Sequence, residues 1–181
     1  RAAVSVDAFH LVKLGNDALT RVRQRVSQQV KGRRGRGIDP AWTNRRLLLR
    51  AGDTLTPRAL ARLQAMLDAD DPTNEIGAAW AVKEHLRQLV ASPDLVTAAD
   101  RRDALQRAAT AAAMPETDRL LRTITAWWPA IEVLIVTGVT NARTEAANTM
   151  IKHIKRTGRG YRNPAHYRAR ILLRSAARSA T

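Results

Sequence analysis

Cysteine is absent from this chain of 181 residues. That excludes a disulfide scaffold, an iron–sulfur cluster, a thiolate zinc site and a cysteine nucleophile. Aromatic residues are only 4% of the chain, too few to suggest a β-sandwich or a base-stacking surface for single strands. Acids are scarce beside bases: Asp and Glu number 16 against 31 Lys and Arg, for a net charge of +15. No Gly-rich phosphate loop, Gly-x-Ser-x-Gly elbow or dinucleotide fingerprint occurs, so nucleotide hydrolysis finds no support. The four histidines (His10, His85, His153 and His166) lack metal-ligand spacing and are read as structural or surface residues. Long uncharged runs are missing but for 123–142, whose one charge is Glu132. A mid-span carboxylate costs roughly 2.5–3.5 kcal/mol in a bilayer and Pro129 adds a kink, so that stretch is read as a buried core helix, with no membrane partner.

What is present is 45% apolar residues, enough to build a core over one domain with an insertion, and a charge that is strongly partitioned. Residues 21–50 carry ten Lys or Arg and one acid, Asp39, for +9. Residues 143–181 carry ten more against Glu145 alone, again +9, while 51–142 come to −3. Two such blocks point to a phosphate-rich partner, and nucleic acid is the reading they favour over a merely solvated surface.

Periodicity predicts one strand followed by helices. Ala2–Val6 reads as a short buried strand that ends at Asp7. Phe9, Val12, Leu19, Val22, Val26 and Val30 recur at helical spacing, and Lys31–Gly37 (KGRRGRG) reads as a basic linker. Further helices are expected at about 41–51, 57–69, 75–91, 97–113 and 115–136, broken at Pro57, Pro93 and Pro115. After a loop at Thr137–Ala142, two more are expected over Arg143–Thr157 and Pro164–Arg178, joined by the turn Gly158–Asn163. The chain opens on Arg1 inside the strand-like stretch, with no secretory leader, and reads as a fragment that lacks an N-terminal part.

Two acids stand apart. Asp7 sits at the C-terminal end of the expected strand, where catalytic carboxylates leave a sheet edge. Glu145 is either an ion-pair partner of a neighbouring cation or a ligand for a divalent ion. Asn148, Lys152 and Lys155 share its helical face, and Ala147, Met150, Ile151 and Ile154 line an apolar one. Arg156–Asn163 can track a phosphate backbone, and Arg170, Arg174 and Arg178 repeat as a basic stripe.

Three blocks carry a family resemblance. Val6–Lys13 (VDAFHLVK) resembles the second-aspartate segment of transposases of the ISL-three insertion-sequence group. Thr140–Glu145 (TNARTE) with Asn148 and Ile151–Arg156 (IKHIKR) resembles that group's catalytic-glutamate segment. Gly160–Asn163, Tyr167–Arg170 and Leu172-Leu173 resemble its closing block.

The resemblance implies a DDE transposase with an α/β, ribonuclease-H-like core, incomplete here, and a large all-helical insertion, so that the chain itself is mostly α. Residues 1–30 would be partial core, 31–136 the insertion, and 137–181 the C-terminal core helices. Asp7 and Glu145 would be catalytic metal ligands for two Mg²⁺ or Mn²⁺ ions. Arg143, Asn148, Lys152, Lys155, Arg156, Arg159 and Arg162 would bind DNA, and residues 21–50 would form a second DNA contact. The first aspartate of the triad is expected upstream of Arg1, leaving this stretch inactive alone. Double-stranded DNA, a homo-oligomeric synaptic complex and a bacterial, nucleoid-associated cytoplasmic setting follow from the same resemblance. The alternative is a non-enzymatic basic helical DNA-binding module, or a decayed transposase remnant.

Overall fold

The computed structural model describes residues 6–138 and 142–179, with side-chain detail for 6–138 and 146–177. Among these residues every regular element is helical. The strand expected over Ala2–Val6 falls outside them except for Val6, and so do Val139, Thr140 and Asn141 of the expected loop. The chain divides into two compact units, Arg1–Val139 and Thr140–Thr181.

The first unit is organised by α1 (Ala8–Lys31), a helix of 24 residues. Its buried stripe is Leu11, Gly15, Ala18, Leu19, Val22 and Val26, the spacing of one helical face. Leu19, Val22 and Val26 lie on it as their periodicity predicts. Phe9 and Val30 do not: they are 68% and 48% exposed, because the stripe runs through Leu11 and Gly15 and leaves both end residues facing outward.

Two short helices follow, α2 (Pro40–Thr43) and α3 (Arg45–Leu49), where a single helix over 41–51 is expected. The break is Asn44, whose side-chain amide donates to Pro40 O at 3.1 Å and competes with the continuing ladder. The next helices start where proline and capping chemistry say they should. Thr56 caps α4 (Pro57–Asp70) by accepting from Ala59 N–H at 3.3 Å, and Asp94 caps α6 (Leu95–Ala112) by accepting from Thr97 N–H at 2.7 Å. Between these lies α5 (Glu75–Val90), buried at Ile76, Ala79, Val82, Leu86 and Leu89 and packed against both α1 and α6. The helix expected over 115–136 is two: α7 (Pro115–Ala126) and α8 (Trp128–Thr137), which meet at 65°. Pro129 has no N–H to donate and its ring crowds the turn before it, so the chain turns at Trp127. Glu132, the lone acid of this apolar stretch, accepts from Trp128 Nε1 at 2.7 Å. No single helix among the described residues is long and apolar enough to cross a membrane.

The core has two parts and α1 and α5 serve both. Leu11 and Ala18 of α1 join Val82, Leu86 and Leu89 of α5 with residues of α6–α8. Leu19, Val22 and Val26 join Ile76 and Ala79 with residues of α2–α4. Polar ties reinforce the second part. The buried Lys83 ammonium donates to Leu48 O at 2.9 Å and Arg50 O at 2.7 Å, so α5 holds the end of α3. Burial pulls Lys83 below the usual lysine range, and its partner Glu84 opposes this. Burial pushes the Glu84 carboxyl up, but hydrogen bonds from Lys83, Gly52 N–H and Arg87 outweigh that and hold it below the usual glutamate range.

The α1–α5 crossing depends on a missing side chain. A Cβ on Gly15 would stand 3.1 Å from Leu86 Cδ2 and 3.4 Å from Lys83 Cγ. Gly15→Val therefore forces these two helices apart and lowers the unfolding free energy by about 1–3 kcal/mol in urea titrations. Unchanged stability in that variant would refute the close crossing.

Candidate functional site

Asp7 is the N-cap of α1, with β-region backbone and a nearly buried carboxylate. Its Oδ1 accepts from Phe9 N–H at 3.0 Å, and His10 Nδ1 lies 3.1 Å from its Oδ2. The carboxylate thus sits at the positive end of a 24-residue helix dipole. Among the described residues each oxygen makes one such contact, and a carboxylate oxygen has two lone pairs, so capping alone does not exhaust it. His10, read from sequence as a structural or surface residue, is thus a partner of the leading acid. Its spacing of three from Asp7 at a helix start is the signal that could have found it.

The second unit is a helical hairpin. In α9 (Ala142–Thr157) Ile154 is buried and Ala147, Met150 and Ile151 are half-buried, the apolar face the spacing predicts. Asn148, Lys152, Lys155 and Arg156 are exposed. Glu145 and Arg143 lie in the first turns of α9, and their side chains fall outside the described residues. α9 and α10 (Pro164–Ser179) pack together and are joined by a turn built on close contact. A Cβ on Gly158 would stand 2.5 Å from the Tyr161 ring, and Tyr161 packs on Tyr167 with ring centres 5.0 Å apart and planes tilted by 37°. Gly160, at φ +98°, completes the reversal, and Asn163 Oδ1 accepts from Ala165 N–H at 2.9 Å to start α10. This turn leaves Arg159 and Arg162 exposed. Alongside, a groove of about 930 Å³ is lined by Lys152, His153, Arg156 and Arg174 together with Met150 and Ala177.

Residues 1–171 match a protein-family model, the transposase family of the DDE type found in ISL-three elements. The chain belongs to that family. No curated protein matches the chain, and no solved structure does. It is therefore a transposase, a protein of insertion elements and their transposition.

For a transposase of this type, each unit carries candidate residues of its own. Exposed cations and an amide on α9 and its turn can neutralise and hydrogen-bond phosphates. Asp7 fits a divalent ion in its chemistry, being a hard oxygen donor fixed in orientation. Among the described residues, however, no three His, Cys, Asp or Glu gather into a metal-binding group. The described residues of the transposase thus include one oriented carboxylate in the first unit and, in the second, an exposed cationic surface.

Because Asn caps a helix about as well as Asp, capping and chemistry can be separated at this position. Asp7→Ala should lower stability by about 1 kcal/mol, whereas Asp7→Asn should change it by a few tenths at most. Thermal unfolding of the two variants beside the parent measures this. Equal losses in both would mean that the carboxylate charge, and not the cap, holds the start of α1.

Proposed function

We propose that this transposase breaks and joins DNA strands by divalent-cation-dependent phosphoryl transfer, with Asp7 and Glu145 as catalytic metal ligands. The family match over residues 1–171 carries this reading. The exposed cationic face of α9 supports it. Mg²⁺ or Mn²⁺, two ions in the family's scheme, would supply Lewis acidity to the attacking and leaving oxygens when bound. The chain's own part is to orient and to hold. The α1 N-terminus and His10 fix the Asp7 carboxylate. Arg143, Asn148, Lys152, Lys155, Arg156, Arg159 and Arg162 contact DNA phosphates, which sets the register of the duplex without reading its sequence.

In this reading residues 1–30 and 137–181 belong to a ribonuclease-H-like core and 31–136 to a helical insertion. The partners are duplex element ends and target DNA, held in a homo-oligomeric synaptic complex at a bacterial nucleoid. A second reading rests on the capping role of Asp7: a basic helical module, or a transposase remnant, that binds DNA and performs no chemistry.

Nicking of supercoiled plasmid in Mn²⁺ tests the proposal, using a protein that also includes the aspartate expected upstream. Asp7→Asn and Glu145→Gln should each abolish nicking while Kd for duplex DNA stays within a few-fold of the parent. Nicking that survives in both variants would remove the two acids from the chemistry. DNA binding without any nicking by the parent would favour the second reading.

A further inference from the structure

The run KGRRGRG starts at Lys31, the last residue of α1, and continues through the segment that leads to α2, and its charges have two fates. Lys31 and Arg33 are used internally. Lys31 Nζ lies 2.6 Å from Asp70 Oδ1 and 3.3 Å from Asp39 Oδ1, and Arg33 Nη2 lies 2.7 Å from Asp39 Oδ1. Asp39 Oδ2 accepts from Arg36 N–H at 2.6 Å, and Asp39 N–H donates back to Arg36 O at 2.9 Å, closing a tight turn over Arg36–Asp39. Burial pushes the Asp39 carboxyl up, but the Arg36 N–H and Lys31 hydrogen bonds outweigh it and hold it below the usual aspartate range.

The rest of the loop backbone is also fixed. Arg34 O accepts from Arg23 Nη1 at 3.3 Å and Gly37 O from Thr43 Oγ1 at 2.8 Å. Gly35, at φ +114°, lies against the Trp42 ring, where a Cβ would stand 3.0 Å from Trp42 Cβ. Trp42 is itself covered by Arg45, whose guanidinium carbon is 4.2 Å from the ring centre.

What this scaffold presents outward is a short pattern of two cations and one aliphatic side chain. Arg34 and Arg36 are exposed, and no carboxylate pairs with either among the described residues. Ile38 is 82% exposed, more than any other large apolar side chain among the described residues. A single exposed aliphatic is ordinary on a protein surface. Here it stands in a pinned turn, two and four residues after exposed arginines that no carboxylate pairs among the described residues, in a block of +9. A tip that is already ordered loses little entropy on binding. Arginine is drawn to the negative potential of a narrow minor groove, and an aliphatic side chain beside it can wedge between base pairs and kink the duplex.

We propose that the Arg34–Ile38 tip enters the minor groove of duplex DNA, with Ile38 as an apolar wedge and Arg34 and Arg36 on the groove walls and phosphates. This rests on the reading of the chain as acting on DNA, and it adds a contact that bends the DNA.

The test uses the whole 181-residue chain and an A·T-rich duplex of about 30 base pairs carrying a fluorophore at each end. Bound wild-type protein should raise end-to-end energy transfer. Ile38→Ser should abolish that rise at saturation while shifting Kd by no more than about threefold, since the phosphate contacts remain. Arg34→Ala with Arg36→Ala should weaken binding roughly tenfold and reduce the slope of log K against log salt by about 2. All three side chains are exposed, so melting temperatures should match the parent and exclude unfolding as the cause. A minor-groove ligand such as netropsin should compete with the parent. Unchanged energy transfer in Ile38→Ser, or an unchanged salt slope in the double variant, would overturn the proposal. So would loss of binding to phosphatidylglycerol vesicles with DNA binding intact, which would make the tip a lipid contact. If the parent binds no duplex, the DNA reading itself fails. If the parent binds and the loop variants are indistinguishable from it, the tip proposal falls and the DNA reading stands.

Discussion

The crossing of α1 and α5 at Gly15 is the contact on which the first unit depends. Both helices give buried residues to both parts of the core, on either side of that point. The other helices pack around them, α6–α8 in one part and α2–α4 in the other. Close approach at Gly15 lets Leu86 fill the crossing and brings Lys83 within reach of the carbonyls that end α3. A buried ammonium is costly unless fully hydrogen-bonded, and here two carbonyls and Glu84 satisfy it. Packing and polar order at this crossing are therefore the same event.

A rigid α1 also sets the distance between the features at its two ends. With 24 residues it is about 36 Å long, close to one turn of duplex DNA. Asp7 stands at its start and the pinned basic loop follows its end. In the proposed reading one rod thus spaces a chemical group and a DNA contact by about a helical repeat. The helix dipole assists at both ends, favouring the Asp7 carboxylate at the first and Lys31 at the last.

Much of this was legible in the sequence because its causes are local. Proline marks the starts of α4 and α7, a left-handed Gly32 ends α1, and the period of Leu19, Val22 and Val26 gives the stripe that α1 buries. The exposed face of α9 was legible for the same reason, since Asn148, Lys152 and Lys155 lie at helical spacing opposite Ile154. Other features depend on distant partners and were not. Lys31 is internal because of Asp70, thirty-nine residues away, so a run that reads as a plain basic linker is in fact a built loop. Phe9 belongs to the apolar period of α1 and yet faces outward, because the stripe is set by what Leu11 and Gly15 meet. At Asp7 the sequence reading and the structure meet without coinciding: one gives a catalytic acid after a strand, the other a helix cap beside His10.

That double role is where the account is most open to test. Mn²⁺ binding followed by electron paramagnetic resonance, on the parent and on Asp7→Asn, asks the question without relying on turnover. The substitution keeps a good cap and removes only the anionic oxygen donor. The account predicts that Asp7→Asn binds Mn²⁺ at least tenfold more weakly at an unchanged melting temperature, a factor in the range that loss of a metal-site group produces. Superimposable Mn²⁺ titrations for the two proteins would contradict it and leave Asp7 as a helix cap alone.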